Sequence, residues 1–272
     1  MLFGKERRRV ARVIRDLVVR PRNDDPMADR DLGSGLQVLV KLASAPLRAL
    51  PETAARLPLM LRELGERRRG IPAARRTIPN PALALGAITG SLTNDDVLRT
   101  RYLNLLAASM DRATSGQVHP GFLAVLRQMT PDETRIFSRF ESDGPYPVIT
   151  IQSHPKHGGS RRTELRHFSL LGHEAGCEHP QRAPMYLDNL CRLGLTEMRP
   201  TRLSEDTRMF KPLETHAEVK GLMAQIASRP PENNARNGND PWVADVQYKY
   251  LFVTSFGRQF YDACEYRPEA DL

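Results

Sequence analysis

From Leu98 onward, large side chains return every three or four residues, at Tyr102, Leu105 and Leu106, with Ser109 closing the series. This is the period of an α-helix, which gathers such positions on one face, and a face this apolar must be buried. The same spacing recurs at Leu57, Met60, Leu61 and Leu64 within a helix expected over Pro51 to Arg69. It recurs again at Val10, Val13, Ile14, Leu17 and Val18, which predicts a basic amphipathic helix over residues 5 to 20. Further helices are expected over 36 to 50, 79 to 89, 94 to 111 and 119 to 129, with a polar linker over 21 to 35. Local chemistry marks their ends. Thr93 reads as an N-cap with Asp95 and Asp96 in the first turn, and Thr130-Pro131-Asp132-Glu133 reads as a capping box ahead of Ile136, Phe137 and Phe140. Arg67, Arg68 and Arg69 suit the negative end of a helix dipole.

The second half reads differently. Tyr146 to Ile151 is β-rich, and a polar loop is expected over His154 to Thr163. Helices follow over Leu165 to Glu174 and Ala183 to Leu193, stopped by Gly194. Leu195 to Met198 and Tyr248 to Thr254 read as strands, the second running into a last helix over Ser255 to Cys264. Between these strands lies an insertion of about residues 199 to 246, with a helix expected from Thr215 and a disordered-looking stretch from Pro230 to Pro241. Helix, strand, helix, helix, strand, strand is the order of a winged-helix module. The expected fold is therefore mainly α (α+β): a helical N-terminal region at 1–76, a helical core at 77–128, and a winged-helix-like domain at 129–272.

Charge is placed unevenly. Residues 1–76 hold 18 Lys+Arg against 9 Asp+Glu, while 77–272 hold 22 against 23, so the net +8 comes from the N-terminal arm. Attraction to phosphate, anionic lipid or an acidic partner is accordingly expected there, through Arg7, Arg8, Arg9, Arg12 and Arg15. Residues 129–200 balance at 9 Lys+Arg and 9 Asp+Glu, which argues against a DNA-reading third helix presenting Asp188, Asn189 and Arg192. Lys156, Arg161, Arg162 and Arg166 are the contact candidates of that region. The 3 cysteines, Cys177, Cys191 and Cys264, have no C-x-x-C spacing, and no apolar run approaches the roughly 18 to 20 residues of a membrane span. A cytoplasmic protein is expected, with peripheral contact at the inner membrane through the arm as one alternative.

Reactive constellations are sparse. His154, His157, His167, His173, Cys177 and His179 offer zinc-compatible donors, but their spacings match no ligand pattern and read as loop and cap residues. Asp95 and Asp96 point about 100° apart on a helix, which suits a first turn better than a shared Mg²⁺. Serine-nucleophile, phosphate-loop, dinucleotide and H-E-x-x-H motifs are absent from the sequence. No catalytic residue, cofactor or metal is expected.

One series of motifs holds Asp96 in a Thr-Asn-Asp-Asp run, Leu105 and Leu106 in Leu-Asn-Leu-Leu-Ala-Ala, Met110-Asp111, and His119-Pro120-Gly121-Phe122. Pro131 and Glu133 in Thr-Pro-Asp-Glu continue it, followed by Leu190, Arg192-Leu193-Gly194-Leu195, and Gly257 and Phe260 in Thr-Ser-Phe-Gly-Arg-Gln-Phe. In combination these motifs resemble the abortive infection alpha family of bacterial antiphage proteins. The resemblance spans roughly residues 79 to 264 and implies phage defence through host arrest or death, with these residues as scaffold. The expected activity is non-enzymatic recognition of a phage or host component, most simply a protein. The alternatives are a DNA-binding regulator of a defence locus and a toxin-like enzyme without a recognisable motif.

Overall fold

A computed structural model describes residues 51–201, 207–234 and 238–268. The basic arm, with Arg7, Arg8, Arg9, Arg12 and Arg15, the linker and the helix expected over 36 to 50 lie outside the described residues. The described residues form two compact units, one running up to Pro131 and resuming at Gln259, the other within Asp132–Arg258. The fold is α+β, with helices and a four-stranded antiparallel sheet.

In the first unit, α1 (Pro51–Gly70) buries Met60, Leu61 and Leu64. Helix α2 (Pro81–Gly90) starts where the Asn80 side chain accepts from the Ala82 and Leu83 amides, with Pro81 in the first turn. Helix α3 (Asp96–Ser109) is capped by Asp95, which accepts from the Leu98 amide at 2.9 Å. The N-cap thus sits two residues beyond Thr93, whose hydroxyl instead accepts from the Asp95 amide at 3.4 Å. The expected 119–129 helix shortens to α4 (Phe122–Leu126), because His119 turns its ring back to accept from the Gly121 amide at 3.0 Å. Leu103, Leu105, Leu106, Phe122, Leu126 and Phe260 are fully buried, and the Phe122 and Phe260 rings meet edge to face at 5.4 Å. Buried Asp111 receives both Arg75 nitrogens, the Ala113 amide and the Tyr266 hydroxyl, which makes it a polar tie within this unit.

The second unit follows from Asp132 in α5 (Pro131–Phe137). Strands β1 (Tyr146–Pro155) and β2 (Arg162–Phe168) lead to the short α6 (Leu171–Glu174), α7 (Ala183–Arg192) and β3 (Thr196–Pro200). The insertion supplies α8 (Lys211–Glu214), α9 (Ala217–Ala227), β4 (Glu232–Asn234) and β5 (Gly238–Asp240). Strand β6 (Trp242–Val253) and helix α10 (Ser255–Cys264) complete it, the helix passing into the first unit at Gln259. The sheet order is β2-β1-β6-β3. β1 and β6 pair without interruption from Tyr146↔Leu251 to Pro155↔Trp242.

Several expectations change here. The loop and helix expected over 154 to 174 are largely a β-hairpin, with α6 retaining only the last turn. Gly158 and Gly159, at φ +114° and +148°, make the reversal that L-residues resist, and β2 then satisfies its amides on β1. The Pro230 to Pro241 stretch contains the β4–β5 pair, because its polar residues retain backbone groups that can ladder. β6 begins six residues before Tyr248, since β1 offers partners that far. Helix α9 starts at Ala217, two residues beyond Thr215, with His216 as N-cap and no side-chain cap bond.

Strand alternation divides the sheet's side chains between two faces. Ile149, Ile151, Phe168 and Tyr250 form one cluster with Phe210, Leu213, Val219 and Ile226, so the insertion closes that face. His167 and Lys249, one residue out of phase with Phe168 and Tyr250, belong to the opposite face, against which α7 lies.

Candidate functional site

Four elements of the second unit surround an open cleft of about 520 Å³. β2 contributes Arg166 and His167, α7 contributes Asp188, Cys191 and Arg192, β3 contributes Met198 and β6 contributes Lys249. Its centre is His167, 7% exposed and at φ +50°, a backbone conformation unusual for a residue with a Cβ. Three bonds hold it there. Its amide donates to Thr150 Oγ1 at 3.2 Å, Nδ1 lies 2.6 Å from Asp188 Oδ1, and Nε2 lies 3.1 Å from Lys249 Nζ.

Those partners decide the tautomer. A carboxylate only accepts, so Nδ1 carries the proton, and the Nε2 lone pair accepts from the Lys249 ammonium. Burial holds the imidazole below its usual value, Lys249 and Arg166 push the same way, and Asp188 opposes them. The neutral ring this favours is the form that can accept from an ammonium. Asp188 Oδ2 also lies 3.6 Å from Arg166 Nε, and Arg192 Nε donates to Asn189 Oδ1 at 2.8 Å. Two arginines and a lysine therefore share the lining of the cleft with one aspartate. Cys191 adds no nucleophile, because burial pushes its thiol up and its sulfur sits 3.3 Å from Thr196 Oγ1.

The arginine candidates divide between two places. Arg166 borders the cleft, whereas Arg162 stacks over Trp242 at 4.7 Å, a ring that Arg229 also covers at 4.9 Å. Arg161 pairs with Asp245, and Lys156 is exposed in the hairpin turn. On a helix, positions 162 and 166 would be neighbours; on a strand, four residues span about 13 Å.

The family-pattern residues are mostly buried. Glu133 accepts from Asn189 Nδ2 at 2.8 Å. Leu190 is fully buried, Gly194 ends its turn at φ +74°, and Gly257 packs so tightly that a Cβ would lie 2.0 Å from the Leu195 carbonyl oxygen. Asp96 pairs with Arg99 at 2.7 Å, while His119 and Pro120 are exposed. Asp132, read as a cap residue, is a hub that accepts from the Glu178 and His179 amides, the Tyr186 hydroxyl and Arg135.

The other histidines have separate partners: His157 Nδ1 meets Asp240 at 2.9 Å, and His173 faces His216 ring to ring at 6.2 Å. Among the described residues, no three His, Cys, Asp or Glu gather as metal ligands, and no helix is long and apolar enough to cross a membrane. The sequence reading missed the His167–Lys249 contact, which joins positions 82 apart and has no local signature. The Gly158-Gly159 turn was the available clue, since it implies a strand through His167.

The family described as abortive infection alpha matches residues 52–264. Among curated proteins none matches. Among solved structures, the chain is similar to an uncharacterised protein from the hydrocarbon-degrading marine bacterium Alcanivorax borkumensis, at 18% identity over 56% of this chain and 94% of that one. The TM-score of 0.34 is too low to carry an argument about fold or function.

Proposed function

The chain belongs to the abortive infection alpha family, and from that premise we propose that it is a phage-defence protein whose second unit recognises a phage or host component. The family match carries this reading, and the cationic cleft supplies a place for recognition. Binding is favoured over covalent chemistry because the groups that would react are occupied or suppressed. His167 Nε2 is taken by Lys249, and burial disfavours the Cys191 thiolate. The basic arm offers a second attachment, to an acidic partner, nucleic acid or anionic membrane.

A DNA-binding winged-helix reading has support in the strand order β1-β6-β3 and the α6, α7, β3 succession. The side chains on α7 disfavour base readout: Asp188 serves His167, and Asn189 serves Glu133 and Arg192. Base readers need free donors and acceptors, so contact through charge fits this helix better.

Infection of bacteria expressing the full chain tests the defence reading. The expected result is reduced phage yield with loss of the infected cells before release. Normal yield together with normal survival removes it.

A further inference from the structure

The cleft has an unusual charge arrangement. Among the described residues, Lys249 Nζ has one hydrogen-bond partner, the neutral His167 Nε2, which occupies one of its three N–H donors. Asp188 does not bond Lys249; it bonds His167 at 2.6 Å and lies 3.6 Å from Arg166. The carboxylate thus orients the imidazole, and the imidazole orients the ammonium, while the ammonium keeps its full charge. An ion pair of Lys249 with Asp188 would neutralise both. Spacing the two by an imidazole preserves a fixed cation, and Arg166 and Arg192 add two more at the rim.

We propose that this cleft binds a phosphomonoester, with Lys249, placed through the Asp188–His167 pair, as the central contact and Arg166 and Arg192 closing on the remaining oxygens. This rests on the recognition reading above and names its ligand class. Among the lining residues Lys249, Arg166 and Arg192 outnumber the carboxylate of Asp188, which complements a group of about −1.5 to −2 at neutral pH better than a singly charged phosphodiester. Guanidinium forks suit phosphate oxygens, and the lysine supplies a point charge. The volume of about 520 Å³ lies in the range of small-molecule sites. Met198 and Cys191 give the wall an apolar patch against which a base can lie. The shared chemistry is a terminal phosphate, carried by a free mononucleotide or by the end of a polynucleotide.

Calorimetric titration of the full chain separates these sources and tests the site. The probes are adenosine 5′-monophosphate, adenosine, and one single-stranded oligonucleotide with and without a 5′-phosphate. A phosphorylated probe binding at least about tenfold more tightly than its unphosphorylated counterpart supports the proposal, and the better of the two phosphorylated probes identifies the source. Equal binding of both pairs, or none, overturns it. Lys249→Met and Arg192→Met are each expected to weaken the preferred probe about tenfold or more. Arg192 is exposed, so its variant remains informative if Lys249→Met does not fold. Unchanged binding in Arg192→Met and in folded Lys249→Met overturns the site.

Asp188→Ala tests the relay, because it removes the acceptor that orients the imidazole while making the cleft more positive. A diffuse cationic patch would then bind more tightly, and that result overturns the positioning role; weaker binding supports it. Infection assays on the wild-type chain keep the two readings apart. Defence without phosphate-dependent binding sinks the ligand assignment alone, and phosphate-dependent binding without defence sinks the proposed function alone.

Discussion

Replacing Asp132 with Asn changes almost no volume but removes the charge from a hub that is 5% exposed. Oδ1 accepts from the Glu178 amide and Arg135, each at 2.9 Å; Oδ2 accepts from the His179 amide at 3.0 Å and the Tyr186 hydroxyl at 3.1 Å. An asparagine must put its NH₂ at one of these oxygens. At the Oδ1 position it would face two obligatory donors, so it is expected at Oδ2, where the tyrosine hydroxyl can rotate to accept and only the His179 amide is orphaned. An orphaned buried amide costs about 1–3 kcal/mol, and losing the charge assistance at Oδ1 adds about 1 kcal/mol. The sum is about 2–4 kcal/mol, or about 6–12 °C in melting temperature. Urea unfolding of both proteins as a function of pH is the assay. Burial by itself would raise the Asp132 carboxyl, but the Glu178 and His179 amides, Tyr186 and Arg135 more than offset it, so its value lies below the usual 3.8. A depressed carboxyl contributes stability above its unfolded value and loses it as pH falls through its folded value. The gap between wild type and Asp132→Asn should therefore be full near neutrality and shrink as the pH falls below 3.8 and through the lower folded-state value. A gap under about 0.5 kcal/mol at neutral pH, or one of equal size in acid, would refute the hub reasoning.

Gly257→Ala places a Cβ 2.0 Å from the Leu195 carbonyl oxygen and 2.8 Å from its carbon. Backbone cannot swing away as a side chain can, so a loss of about 2–3 kcal/mol is expected in urea unfolding, and a change within about 0.5 kcal/mol would contradict it. Burial pushes the Cys177 thiol up to about 11 from 9.0, which lowers its thiolate population about a hundredfold. Burial pushes the Cys264 thiol further above its usual value. Thiol-reagent labelling of the native chain, followed by peptide mapping, should find Cys264 unmodified until denaturant is added. Rapid native labelling of Cys264 would show that α10 opens readily.

What could be read from the sequence was local. The helix expected over 79 to 89, the Asp95–Asp96 pair and the stripe of Leu98, Tyr102 and Leu105 announce α2 and α3 because turn chemistry and period act over a few residues. Gly194 likewise marked the stop of the helix that carries Leu190, whereas the tight packing of Gly257 against Leu195 became visible only in the structure. Strand β2 escaped the same reasoning: Thr163 to Phe168 contains Glu, Leu and Arg, good helix formers, and it is extended only because β1 takes its hydrogen bonds. That tertiary choice also built the cleft. It turned His167 away from Phe168, brought Asp188 from α7 and Lys249 from β6 to its two ring nitrogens, and left Arg162 at the far end of the strand. Residue identities alone settled which groups carry charge and marked α1, α2, α3, α7 and α10. Their convergence depended on strand pairing between distant segments, which has no counterpart in any single stretch of chain.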